Sequence, residues 1–243
     1  MRREFWMNGF SFEERTLLII RGKNRLSFIN NLSTNKVDSL EVGQTIESIF
    51  TDINARIIDL VIIGQMEEAT FIIGHQANHS RLLTHLLQRS NLDAVEITDS
   101  STLNQFIRLN ENHNSEVWTT RNGATLVSDG PFTLVVLSKQ KSTSKFIEGL
   151  NETCLEEERI KALRPGPAEL TAKFTPYNIG LNHLVSETKG CYLGQEVLAR
   201  MQSRGKKGKQ LILVNGDDLQ VGINGVTSTT NSRGLAVITP LLE

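Results

Sequence analysis

E-T-K-G-C-Y-L-G-Q-E-V-L-A-R-M-Q-S-R-G, residues 187–205, is the stretch on which the reading of this chain turns. A cysteine stands between a glycine and a tyrosine, a second glycine follows three residues on, and a Gln-Glu pair opens a helical pattern. Gly190 and Gly194 suit backbone positions with positive φ or with another group close by. Beyond Gly194 the apolar residues Val197, Leu198 and Met201 recur at helical spacing. That places Cys191 in a loop or first turn at a helix N-terminus, with Lys189 two residues before it. A helix N-terminus and a nearby cation both favour thiolate over thiol. Two readings stay open: a reactive or ligand-contacting thiol, or a small buried hydrophobe.

Bulk properties narrow the classes. A chain of 243 residues is long enough for one large domain or a few small ones. The net charge of −1 gives no global attraction to nucleic acid or acidic membranes. Arg2, Arg3 and Glu4 lead into no long apolar run, so no secretory leader is expected. The apolar stretches, such as Leu60 to Ile63, are strand-sized and too short to span a bilayer. Cys154 and Cys191 are the only cysteines. Free thiols in a cytoplasmic protein are the simplest account. Two cysteines cannot supply the four thiolates of a typical iron–sulfur cluster, so any link to such clusters is indirect or shared.

In chain order, Arg15 to Arg21 reads as a strand, Gly22 breaks it, and Lys23 to Leu32 reads as a helix. Thr45 to Phe50 and Ile57 to Ile63 read as strands flanking a turn at Asp52 to Ala55. Thr70 to Ile73 is the hairpin partner of the second, and Asn78 or Ser80 is the expected cap of a helix running to about Arg89. Val95 to Ile97, Gln105 to Leu109 and Phe132 to Leu137 are further strands, with a surface loop around Asn110 to Ser115. Lys145 to Leu150 and Glu156 to Leu163 read as helical, the second stopped by Arg164-Pro165-Gly166-Pro167. Gln210 to Val214, Val221 to Thr227 and Leu235 to Ile238 suggest a small terminal set of strands. The mixture is α+β, with hairpins rather than regular βαβ alternation.

Lys189 to Glu196, K-G-C-Y-L-G-Q-E, followed by A-R-M and R-G-K, resembles the signature of the YgfZ family of folate-binding proteins. These are relatives of the T-protein (aminomethyltransferase) of the glycine cleavage system and of a mitochondrial iron–sulfur assembly factor. R-G-K-N-R-L-S-F-I-N-N-L-S-T-N at 21–35, Arg164 to Pro167 and Phe174-Thr175-Pro176 are similar to other segments of the family. The resemblance implies an α+β, T-protein-like folate-binding fold, with residues 1–205 as the folate-binding region and 206–243 as a shortened C-terminal β domain. It implies tetrahydrofolate or a derivative as ligand, and an accessory role in iron–sulfur protein assembly or repair and, through it, tRNA modification. Iron–sulfur client proteins would be the partners. A folate-dependent aminomethyltransferase is the first alternative, an RNA or protein adaptor without folate the second.

A reduced folate offers a pterin edge of N–H donors, a ring system that needs an apolar slot, and a carboxylate tail. Gln195 and Glu196 suit the edge; Lys189, Tyr192 and Arg200 suit the tail and rings, with Gly190 and Gly194 shaping the loop. Each also has a plain structural reading, as an early helix residue, a core aromatic or a solvated side chain. The resemblance makes Cys191 the central functional residue. In T-proteins two adjacent Asp follow an isoleucine-like pair; here Ile57-Ile58-Asp59 is followed by Leu60, which leaves one. Asp59 is therefore either a general base or ion pair near the folate, or an outward-facing residue of a half-exposed strand. Arg200, Arg204, Lys206, Lys207 and Lys209 form the one concentrated positive cluster, without the interleaved aromatics of a single-strand binder. His75 and His79, four apart, make a weak zinc pattern, and no Walker A, dinucleotide or serine-hydrolase motif is present.

Overall fold

The computed structural model describes residues 9–111, 115–148, 150–152, 155–203, 208–216 and 224–239. The chain opens with β1 (Gly9–Phe12), β2 (Arg15–Arg21) and α1 (Arg25–Leu32). β3 (Thr45–Thr51), β4 (Ile57–Gln65) and β5 (Thr70–His75) follow as consecutive hairpins, then α2 (His79–Asp93) and β6 (Glu96–Asp99). β7 (Asn104–Leu109), β8 (Thr119–Arg121), β9 (Ala124–Asp129) and β10 (Phe132–Ser138) come next. α3 (Ser144–Ile147), β11 (Asn151–Glu152) and α4 (Glu156–Lys161) lead to a long irregular segment. α5 (Gln195–Ser203) then precedes β12 (Gln210–Asn215), β13 (Val226–Thr229) and β14 (Arg233–Ile238).

Among the described residues three sheets form: β3-β4-β5-β2-β6, β11-β1-β7-β10-β9-β8, and β12-β14-β13. β4 is buried along its whole length, which is why it reads as a continuous apolar run. One face of the five-stranded sheet packs Leu18, Ile20, Val61, Ile63 and Ile72 against Phe28 and Ile29 of α1 and Leu82 and Leu86 of α2. Its other face is shared. Ile62, Phe71 and Ile73 meet Phe106, Val127, Leu134 and Val136 of the six-stranded sheet. Ile49, Ile57 and Leu60 meet Leu170, Phe174, Ile179, Leu181 and Leu184 of the irregular segment, and Val237 of β14. The six-stranded sheet covers its far side with Phe146 of α3. The layers are helix, sheet, sheet, helix, and burying alternate faces of amphipathic strands is what stacks them.

The α+β reading holds, and most strands lie where periodicity put them. The helix expected over Lys145 to Leu150 is only the single turn of α3. Asn78 does precede α2, but its side chain makes no cap hydrogen bond and serves Asp59 instead. The β8–β9 hairpin escapes periodicity because its strands are short and polar, although Asn122-Gly123, both at positive φ, is the turn chemistry that marks such a hairpin. The strand expected over 221–227 is described from Val226; residues 221–223 lie outside the described residues. The short terminal sheet leans on the rest of the chain through Val237. The expected boundary at 205–206 also falls outside the described residues.

Candidate functional site

The cysteine motif is stapled to two distant segments. Lys189 is buried, and its Nζ donates to the carbonyls of Asn30, Ser33 and Asn35 at 2.6, 2.6 and 2.7 Å. Three N–H groups thus meet three carbonyls at the end of α1. The ammonium also stands 5.0 Å from the Tyr192 ring centroid, a cation–π contact. Burial pushes its pKa down to about 8, with Asp38 pulling the other way. Leu193 N donates to Asn31 O, and Thr51 Oγ1 donates to Leu193 O. Gly194 has φ +86°, and a Cβ there would lie 2.7 Å from Asp52 O. No other residue type fits that turn without displacing backbone. Tyr192 packs with Ala55 and Leu198, and burial raises its hydroxyl to about 12. Lys189, Tyr192 and Gly194 therefore lock the loop against residues 30–35 and 51–55.

What this clamp borders is a cleft of about 440 Å3 at the seam where the six-stranded sheet and the irregular segment part on the face of the five-stranded sheet. Asn35, Thr45, Glu47, Ile62, Ser128 and Leu184 line it. Asn35 is the residue whose carbonyl Lys189 holds. Glu47 lies directly opposite Ile62 across the β3–β4 ladder, so both point to the same face. Arg164 holds the Glu47 carboxylate through both oxygens, and its Nη2 also reaches Asp129 Oδ1 at 3.0 Å. A carboxylate oxygen keeps a second lone pair after accepting one such bond. The cleft thus combines a fixed carboxylate, amide and hydroxyl groups, and an apolar wall. Neither Glu47 nor this cleft was singled out from sequence; a lone Glu in an alternating strand carries no signal, and its neighbours in space are far apart in the chain.

Asp59 lies elsewhere. It is fully buried, which corrects the expectation of an outward-facing strand residue. Its Oδ1 accepts from Leu60 N, His75 Nδ1 and Asn78 Nδ2, each at 3.0 Å, and its Oδ2 accepts from His75 N at 2.8 Å. A Cβ at position 74 would stand 2.6 Å from Oδ2, so the carboxylate is packed tight against backbone. Burial and Arg15 lower the His75 pKa, against the pull of Asp59. His75 is therefore a neutral partner of Asp59 rather than half of a zinc pair, and His79 pairs with Asp99 at 2.9 Å. Among the described residues no group of three or more His, Cys, Asp or Glu is placed to hold a metal.

Cys191 and Gly190 are exposed at the surface of the loop, which corrects the reading of the thiol as a buried hydrophobe. Gln195 starts α5 and is half-buried, while Glu196 and Arg200 are exposed and pair with each other one turn apart. Lys209 stands 5.6 Å from the Phe174 ring centroid. Arg204, Lys206 and Lys207, the middle of the basic cluster, lie outside the described residues, as does Cys154. None of Cys191, Asp59, Lys189, Glu196 or Arg200 lines the Glu47 cleft.

No family model matches the chain. It is 25% identical over 218 residues to a chloroplastic protein of Arabidopsis thaliana that is provisionally named a transferase. That match takes in 76% of this chain and 50% of the relative, so the chain spans about half the length of the curated relative it matches. Among solved structures, the glycine cleavage system aminomethyltransferase T of Bartonella henselae superposes with a TM-score of 0.77. The superposition takes in 96% of this chain and 78% of that one, at 12% identity. The fold of this chain is that of the glycine cleavage T-protein.

Proposed function

We propose that this chain binds tetrahydrofolate or a derivative in the Glu47 cleft and acts as an accessory factor in the assembly or repair of iron–sulfur proteins, and through them in tRNA modification. The observation that carries the folate reading is the cleft itself. It sets a fixed carboxylate beside an apolar wall, at a seam of a T-protein fold. Glu47 accepts from the pterin N–H edge, Ile62 and Leu184 pack on the rings, and Asn35, Thr45 and Ser128 offer side-chain hydrogen bonds. In this reading the 189–196 motif works in two parts. Lys189, Tyr192 and Gly194 hold the wall of the cleft in place, and Cys191 presents its thiol outward to a client protein. The accessory role rests on the K-G-C-Y-L-G-Q-E resemblance.

Calorimetric titration with tetrahydrofolate on wild type and Glu47→Gln tests the ligand. Micromolar binding, weakened in the variant, is expected; no binding by folded wild type would remove folate from the account and leave an adaptor. Activity of client iron–sulfur enzymes in cells carrying Cys191→Ser tests the role of the thiol, and unchanged activity would end it. An aminomethyltransferase is the second reading, favoured by the fold and by the transferase name of the plant relative. Release of ammonia with formation of methylene-tetrahydrofolate from an aminomethyl donor would establish it.

A further inference from the structure

Where the packing of the two large sheets thins at Leu17, Ile19 and Trp118, which are only partly buried, a second cavity of about 220 Å3 remains between them. Its two walls differ in chemistry. On the five-stranded sheet the cross-strand pairs Leu17–Ile73 and Ile19–Phe71 form an apolar wall. Trp118 adds its ring, edge-on to Phe71 with centroids 6.3 Å apart. A Cβ at position 64 would lie 2.0 Å from the Phe71 Cζ. Glycine there lets the Phe71 ring lie over β4, and any side chain would have to displace it.

The opposite wall turns polar. Phe106, Val127 and Leu134 fill the seam with apolar groups, but the same faces of their strands continue into Asn104, Thr125 and Ser138. Ser138 stands opposite Asn104 across one ladder, and Thr125 opposite Val136 across the next. These groups keep hydrogen-bonding capacity. Asn104 Nδ2 donates to Ser100 O at 2.9 Å, and Ser138 Oγ accepts from Gln140 N at 3.3 Å. Among the described residues Asn104 Oδ1, the Ser138 O–H and the Thr125 hydroxyl have no partner within the chain. All three residues are half-buried and line the cavity. None of the described residues lining it is charged, so a charged ligand would find no counter-charge. Water can serve the polar wall but not the apolar one, since an ordered water needs two to four polar partners. A ring with a polar edge satisfies both walls. A cavity of about 150 Å3 takes benzene, so this one has room for one or two rings.

We infer that this cavity binds a neutral heteroaromatic compound of one or two rings, with the ring against Leu17, Ile19 and Phe71 and its hydrogen-bonding edge on Asn104, Thr125 and Ser138. The site shares no lining residue with the Glu47 cleft and does not depend on the folate reading. The test is calorimetric titration of the whole protein with adenine and with nicotinamide, and with toluene as a ring that lacks a polar edge. Wild type is expected to bind at least one of the two heteroaromatics, more tightly than toluene, and the Trp118 indole N–H resonance is expected to move in isotope-labelled protein. Leu17→Trp fills the cavity and weakens binding by about tenfold or more. The double variant Thr125→Val, Ser138→Ala keeps the slot but removes two hydroxyls, and weakens binding by about fivefold or more without altering the affinity for toluene. Saturating tetrahydrofolate leaves the affinity unchanged. Should Leu17→Trp fail to fold, the double variant decides. The proposal is overturned if neither heteroaromatic binds, if toluene binds as tightly, or if the Trp118 resonance stays in place. Equal affinity in the double variant, or competition by tetrahydrofolate, overturns it as well.

Discussion

Glu47 and Asp59 stand on adjacent strands of one hairpin yet face opposite sides of the sheet. Asp59, paired opposite Phe50, points to the helix face and is closed off by four hydrogen bonds. Glu47 points to the seam between the two large sheets, half-buried and open to a cleft. The first is sealed from solvent on every side; the second has a fixed orientation, an open side and spare lone pairs. Burial on every side against protein donors makes a carboxylate structural, whereas burial of one side only leaves it able to recognise. It also divides the motif: Lys189 belongs with Asp59 as an internal anchor, and Cys191 belongs to the surface.

Removing the anchors is expected to have the largest effect. Asp59→Ala removes the acceptor of the His75 ring, of two backbone N–H groups and of one Asn78 amide bond in the core, and is expected to cost about 3–5 kcal/mol, read by urea denaturation. A loss below 1 kcal/mol would contradict its anchoring role. Lys189→Met strips two buried carbonyls and one half-buried carbonyl of this donor, with an expected cost of about 2–4 kcal/mol. Hydrogen exchange should quicken at Leu193 and around residues 30–35, the segments its staple joins. Exchange that rises uniformly, or not at all, would break the link between motif and cleft wall.

These anchors were only partly visible from sequence. The strands of the five-stranded sheet and the helix beyond Gly194 were legible because apolar runs and helical spacing are local properties. The partners of Lys189 lie more than 150 residues away, and those of Asp129 lie 21, 35 and 114 away, so no local pattern reports them. Asp59 stands out as a polar interruption of an apolar run, and its catalytic reading rests on the resemblance to the Asp pair of T-proteins. Only the positions of His75 and Asn78 show it to be a packing device. Glu47, in an ordinary strand, drew none.

A smaller effect is expected with pH. His85 packs edge-on to Phe50, with ring centroids 6.2 Å apart, and burial followed by Arg89 lowers its pKa to about 4. The unfolded chain binds that proton near pH 6.5 and the folded chain does not. Stability is therefore retained above pH 6.5 and falls as pH drops towards 4, by on the order of 1–3 kcal/mol. Denaturant midpoints at pH 7 and pH 5 check this, and His85→Gln should flatten the difference; an equal slope in both would refute the assignment. The smallest effect belongs to Cys191→Ala. Truncating an exposed free thiol should change stability by less than about 0.5 kcal/mol.

The decisive experiment is one titration series with tetrahydrofolate on wild type, Glu47→Gln and Cys191→Ala. The account predicts micromolar binding by wild type, an affinity about tenfold or more lower in Glu47→Gln, and an unchanged affinity in Cys191→Ala. An affinity lost in Cys191→Ala but kept in Glu47→Gln would contradict it and return the ligand to the cysteine loop.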